Sequence, residues 1–260
     1  MSSYFLYILF FILGLCLGSF LNALEYRLHT HQAFFRSRSH CPQCKVQLAW
    51  YDNIPLLSFF ILRQKCRTCK GSISWQYPLI ELWMGLTFVG SYFLNSVQAL
   101  EFNVWQLVLT CFIIFVLTFI FLYDLKYLEV VDSIVIPATL IVYFVSWFLD
   151  LRGWQDMVIG MSVGAGFFLV QYLISKGTWI GGGDMRIGLL MGAILGWKLL
   201  LVALWFAYVA GALISVGLLI SKKKKMKSAI PFGIFLAPAT LVVMVWGQQA
   251  LDWYLSFLKF

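Results

Sequence analysis

From Tyr4 to Leu24 the chain runs 21 residues without one charged side chain, and similar apolar runs recur to its end. A helix needs about 20 predominantly apolar residues to cross the hydrocarbon layer of a bilayer. Further runs of this kind cover about 76–95, 104–123, 134–150, 157–175, 185–197, 199–220 and 231–256. They are continuous rather than alternating, and backbone amides in lipid must be paired locally, so the pattern predicts helices and not a barrel. Hydrophobic residues make up 62% and charged residues 12% of the 260 positions, against about 25% charged in a soluble domain. The expectation is an all-α, polytopic membrane bundle of about eight helices. The first run has no Lys or Arg before Arg27 and no small-residue cleavage pattern after it, so it reads as a retained helix. The sixth and seventh runs differ from the rest in meeting at Gly196-Trp197-Lys198, with Lys198 alone between them. Read as one tilted helix over 185–220, they give seven spans instead.

Basic residues decide between seven and eight. Loop 25–75 holds Arg27, Arg36, Arg38, Lys45, Arg63, Lys65, Arg67 and Lys70, and a second cluster lies at Lys222 to Lys225 and Lys227. Short loops rich in Lys and Arg remain cytoplasmic. Eight spans with the N-terminus outside put both clusters, with Lys126, Lys176 and Arg186, on the cytoplasmic side. Only Arg152, Lys198 and Lys259 of the 19 basic residues then lie outside. Seven spans separate the two clusters. The net charge of +8 is therefore a topology signal and an attraction to anionic lipid, not a nucleic-acid footprint.

Loop 25–75 also carries Cys41-Pro-Gln-Cys44 and Cys66-Arg-Thr-Cys69. Two CxxC pairs at such a separation suit a tetrahedral thiolate site, best matched by Zn²⁺. Four protein ligands leave no open position for a reactive water, so the metal's role is structural. A redox pair and unliganded thiols are the plainer alternatives, and His29, His31 and His40 are possible substitute ligands in the same loop. The boundaries expected are a first helix over 1–24, the cysteine module over 25–75 and a seven-helix domain over 76–260.

Glu101, Asp150, Asp156 and Asp252 fall in expected outer loops or at helix ends, where solvent explains them. Asp124 instead ends the apolar run 104–123, and Asp184 follows Gly181-Gly182-Gly183 at the start of another. The charge-based topology brings both to the cytoplasmic face. Two close carboxylates share a proton, so that one activates water while the other protonates the leaving group. Gly181 and Gly183 permit unusual dihedrals and close backbone approach beside the acid. The bland alternative is two helix-end charges, and Asp132 and Glu129 compete as partners nearby. A proton-coupled transporter needs such acids at mid-span, and a zinc-bearing adaptor needs neither acid.

These segments together resemble the type IV prepilin peptidases, membrane proteases with a GxGD motif. The likeness covers Gly18 to Leu28, Cys41 to Pro55, Cys66 to Glu81, Gly181-Gly-Gly-Asp184 and Pro231-Phe-Gly233. Asp124 and Asp132 have the family's eight-residue spacing, which implies that Asp124 is catalytic with Asp184 and that Asp132 starts a helix. Tyr123, Val131 and Arg186 depart from the family pattern of an aliphatic residue, Pro and Lys. The resemblance implies cleavage of the short basic leader of prepilin or pseudopilin precursors, after Gly, at the cytoplasmic face of a bacterial membrane. It also implies N-methylation of the new terminus with S-adenosylmethionine, associated with the cysteine loop. A GxGD protease acting on other membrane proteins is the nearest alternative.

Overall fold

A computed structural model describes residues 3–32, 39–98, 102–220 and 231–258. Every long element is a helix: α1 (Ser3–His29), a short α2 (Leu57–Ile61), α3 (Gln76–Gln98), α4 (Val104–Tyr127), α5 (Asp132–Phe148), α6 (Trp154–Ser175), α7 (Gly182–Ile220) and α8 (Gly233–Leu258). Five of these, α1, α4, α6, α7 and α8, are long and apolar enough to cross a membrane, and α5 is apolar but shorter. α3 forms where the sequence predicts a span but carries Glu81 and Asn95 among its apolar residues. Phe5, Ile8, Leu9, Ile12 and Leu13 on α1 are exposed, which is how an apolar helix face meets lipid rather than water. The chain is a multi-pass membrane protein.

The chain divides into two compact units, residues 1–115 and 116–260. In the first, α1 packs on α3. A Cβ added to Gly18 would stand 2.7 Å from the Glu81 Cα, so the backbones touch where side chains ordinarily intervene. α1 continues through His29, one turn beyond its apolar run, because that turn has polar partners. Gln76 Nε2 donates to Asn22 Oδ1 at 3.1 Å and to Glu25 Oε2 at 3.5 Å. Between the helices lie two matching turns. Lys45 N–H returns to Cys41 O at 2.9 Å and Lys70 N–H to Cys66 O at 3.0 Å. Both lysines have positive φ, 59° and 57°, so each CxxC folds back in the same way.

In the second unit α6 lies against α7 through two glycine pairs at four-residue spacing. Gly160 and Gly164 face Gly192 and Gly188, and a Cβ on Gly160 would stand 2.7 Å from Gly192 O. At this distance van der Waals contact and backbone dipoles replace side-chain interdigitation. α7 breaks at Gly196, where φ is 69° and ψ 176°, dihedrals that only glycine adopts without strain. Gly196 sits beside Asp156 at the start of α6. Tyr208, twelve residues on, is back beside the other end of α6, donating to Gln171 Oε1 at 2.8 Å. The chain therefore reverses at Gly196. α7 is a hairpin of two arms, and the segments at 185–197 and 199–220 are separate, giving, besides the short α2, eight helical segments among the described residues where eight were expected. The second basic cluster at 222–227 lies outside the described residues.

Candidate active site

Three helix ends converge on two buried acids in the second unit. Asp124 lies in the last turn of α4 and is 6% exposed, and Asp184 lies in the first turn of α7 and is 8% exposed. The two carboxylates are electrostatic neighbours. The third end is that of α8, whose first amides, on Gly233 and Ile234, face the Asp124 carboxylate. A helix N-terminus carries partial positive charge and unpaired N–H groups, and α8 turns this end toward Asp124. Only glycine fits at 233, since a Cβ there would stand 2.6 Å from Asp124 Oδ2. That oxygen is buried without a hydrogen-bond partner among the described residues. Buried acceptors are ordinarily satisfied, so Oδ2 is an acceptor left open at the site.

The glycine run has divided duties. Gly183 is pressed against the loop that follows α4, and a Cβ on it would stand 2.7 Å from the Val130 Cβ. Its missing side chain is what lets the Asp184 turn approach the segment that carries Asp124. Gly181 accepts from the Asp184 amide at 3.2 Å, and Gly182 has open space around it. Gly183→Ala should therefore lower any reaction at these acids by about a hundredfold, the usual effect of displacing a reacting group by about 1 Å. Gly182→Ala should stay near the unmodified rate in the same assay. Equal behaviour of the two variants would remove Gly183 from this role.

Asp132 is indeed the first residue of α5, but it does more than start a helix. Its Oδ1 lies 2.9 Å from Nε of Arg186, two residues after Asp184. This ion pair ties the segment leaving Asp124 to the segment carrying Asp184. Sequence reasoning missed the pair, although an acid eight residues after Asp124 and a base two after Asp184 were the available signal. It also passed over Gly233, visible only as part of Pro-Phe-Gly. Beyond the acids stands an aromatic wall. Phe232 lies 4.8 Å from the Tyr208 ring and 6.1 Å from Phe168, and Tyr208 is near enough to Asp184 to sense its charge.

The cysteine module belongs to the first unit. The Sγ atoms of Cys41, Cys44, Cys66 and Cys69 all lie within 4.8 Å of one another. Cys41 and Cys69 sulfurs are 3.9 Å apart, close to the ~3.8 Å edge of a tetrahedron with metal–sulfur bonds of about 2.3 Å. All four thiols are free of disulfide bonds. Amide hydrogens of Cys69 and Thr68 draw the Cys66 thiol down to about 7, while its neighbour Cys69 is pushed up to about 11, so the cluster holds its negative charge at Cys66 first. The four cysteines fit a thiophilic ion. Among the described residues the cluster includes none of His29, His31 and His40.

Comparison with known proteins follows the same division. Residues 12–94 match the bacterial peptidase A24 N-terminal domain and residues 111–216 the type IV leader peptidase family. The prepilin leader peptidase/N-methyltransferase of Myxococcus xanthus is 34% identical, over 81% of this chain and 62% of its own length. Proteins of that same description from Stutzerimonas stutzeri and Aeromonas hydrophila are 30% and 31% identical, each over 95% of this chain and 93% of its own. No solved structure matches. With buried acids at converging helix ends, a four-thiol module ahead of them and this likeness along most of its length, the chain belongs to the type IV leader peptidase family.

Proposed function

We propose that this chain is a membrane aspartic endopeptidase that removes the short basic leader of type IV prepilin or pseudopilin precursors, and then N-methylates the new terminus. The observation that carries the peptidase reading is the pair of buried carboxylates, Asp124 and Asp184, held together by the ends of α4, α7 and α8. In the proposed reaction the ionised member takes a proton from water, whose oxygen attacks the scissile carbonyl carbon. The protonated member gives its proton to the carbonyl oxygen. Collapse of the tetrahedral adduct then breaks the C–N bond, and a proton passes to the leaving amine. Gly181 and Gly183 shape the turn that presents Asp184. A position at helix ends supports peptide chemistry over an ion-coupled transporter, whose binding acids sit near mid-membrane on broken helices.

Cys41, Cys44, Cys66 and Cys69 hold Zn²⁺ in a structural role in this reading. The working division is a first helix over 1–24, the metal module over 25–75 and a protease domain over 76–260. S-adenosylmethionine, when bound, supplies an electrophilic methyl group for the amine. The direct test is incubation of the purified protein in detergent with a prepilin that retains its leader. A shorter product beginning after the leader Gly is expected, and an intact precursor would reject the reading.

We place the N-terminus outside a bacterial cytoplasmic membrane, with the cysteine module and both aspartates at the inner face. The support is the distribution of Lys and Arg, sixteen of nineteen falling on one side. In spheroplasts, a cysteine introduced at Gln155 should react with a membrane-impermeant maleimide beyond the background of the unaltered chain. One at Ser228, outside the described residues, should react only after permeabilisation. Labelling of both from the same side overturns the orientation.

A further inference from the structure

α2 is short, and its apolar side chains point two ways. Phe59 is buried, with the Trp75 ring 5.0 Å away. Leu57, Phe60 and Ile61 are 60%, 62% and 73% exposed, and their i, i+3, i+4 spacing puts them on one face. Three large apolar side chains on so small an element are unfavourable in water. The loop that holds them leaves α1 at His29, and Asn22 of α1 donates to Tyr77 O at the start of α3, at 3.4 Å. Both ends of the loop are thus fixed beside a helix long and apolar enough to cross the membrane. The nearest apolar cover is the bilayer.

The residues after α2 supply charge. Arg63 and Gln64 both have positive φ, 49° and 62°, and their amides donate to Phe60 O and Phe59 O, each at 3.0 Å. Beyond this double turn Ile61, Arg63, Lys65, Cys66, Arg67 and Lys70 line one cavity of about 340 Å³, within the range of small-molecule sites, about 300–1,000 Å³. Arg67 is already occupied, by Asp52 at 2.8 Å and by the Tyr51 ring at 5.1 Å. Among the described residues no ion pair includes Arg63, Lys65 or Lys70. Lys65 and Lys70 are each next to a cysteine in sequence, where thiolates offset their charge, but Arg63 is next to neither.

We propose that this cavity holds the phosphate of an anionic membrane lipid, with the lipid's acyl chain along Leu57, Phe60 and Ile61. Ile61 belongs to both the apolar face and the cationic cavity, so one molecule with an anionic head and an apolar tail satisfies both. A free anion has no use for the apolar face, and a basic leader peptide is repelled by the cations. Lys and Arg stems lie along apolar surface while their heads reach a phosphate. The lipid would seat the cysteine module on the leaflet, whatever reaction the second unit performs.

Native mass spectrometry of the full chain, purified in detergent without chelator, counts bound lipid. Dioleoyl phosphatidylglycerol is titrated in, with dioleoyl phosphatidylcholine and inorganic phosphate as the contrasting probes. Each basic side chain near an anionic surface is worth about fivefold in affinity. Arg63→Gln should therefore weaken one phosphatidylglycerol site by about fivefold, and its combination with Lys65→Gln and Lys70→Gln by about a hundredfold, seen as one fewer bound lipid. Phe60→Ser with Ile61→Ser should weaken the same site by about tenfold or more. Phosphatidylcholine should bind the unaltered chain and the Arg63→Gln variant alike, and excess inorganic phosphate should displace no phosphatidylglycerol. Metal content should stay at about one ion per chain in Arg63→Gln. Displacement by phosphate would make this a site for the free anion and overturn the lipid. Equal phosphatidylglycerol retention by the unaltered chain and the triple variant would overturn it as well. Metal lost together with lipid in Arg63→Gln would assign the cations to the thiolates instead.

Discussion

Asp124→Asn and Asp184→Asn should each reduce leader cleavage by about a thousandfold or more, with the protein still folded in the membrane. An amide can neither take a proton from water nor deliver one as an acid, and each acid–base role contributes roughly 10²–10⁴-fold. The side chains are nearly isosteric, so the packing at the ends of α4 and α7 survives. The amides of Gly233 and Ile234, which face Asp124, can still donate to the oxygen of an asparagine. Because the two acids share one reaction, the double variant should be scarcely slower than either single one. Asp132→Asn should be milder. It keeps an oxygen for Arg186 and loses only the charge of a pair that is half exposed to solvent, where ion pairs are worth little. The measurement is the rate of prepilin shortening on gels under single-turnover conditions. Normal cleavage by either single variant would exclude the pair as the machinery. Methyl transfer to a precleaved substrate should persist in all of these variants.

What the sequence disclosed, and what it hid, follows from the range of the physics involved. Long apolar runs report on lipid contact residue by residue, so seven of the eight segments were legible from composition alone. The hairpin at Gly196 was legible only because Gly196, Trp197 and Lys198 interrupted the aliphatic run. Its cause, a φ of 69° beside Asp156, is a tertiary fact. The thiol cluster was legible because CxxC pairs carry their geometry locally, in the turns at Lys45 and Lys70. The two acids stood out because unpaired charge is rare in such a sequence. Contacts between distant segments were not legible. Nothing local in Pro231-Phe232-Gly233 says that its amides meet Asp124. Nothing local in Arg186 names Asp132 as its partner. α3 also escaped full reading. Glu81 enters the sequence reading only as the last residue of the Cys66–Glu81 likeness, and folding alone reveals that it meets Leu56 across the loop.

Cys66→Ser should release the metal and melt the loop between α1 and α3, while both helices stay in the membrane. Cys66 is the most informative ligand to change, being 6% exposed and already drawn toward thiolate by neighbouring amides. A serine hydroxyl does not ionise at neutral pH, so one of four ligands is lost. Little else can hold the loop. Among the described residues its β pairing consists of the isolated bridges His40 with Gln47 and Lys65 with Ser72, and a segment of this size has no core of its own to rely on. Structural zinc contributes on the order of 10 kcal/mol to folding of small modules, far more than the Arg67–Asp52 pair and a few turns supply. The unaltered protein, purified without chelator, should carry about one zinc per chain. Trypsin should spare Arg63, Lys65, Arg67 and Lys70 in that protein and cut among them in Cys66→Ser. Methyl transfer should fail in the variant, because the resemblance associates that activity with the cysteine loop. A metal-free preparation that is active, or a variant as resistant to trypsin as the unaltered chain, would show that the four thiols fold the loop without an ion.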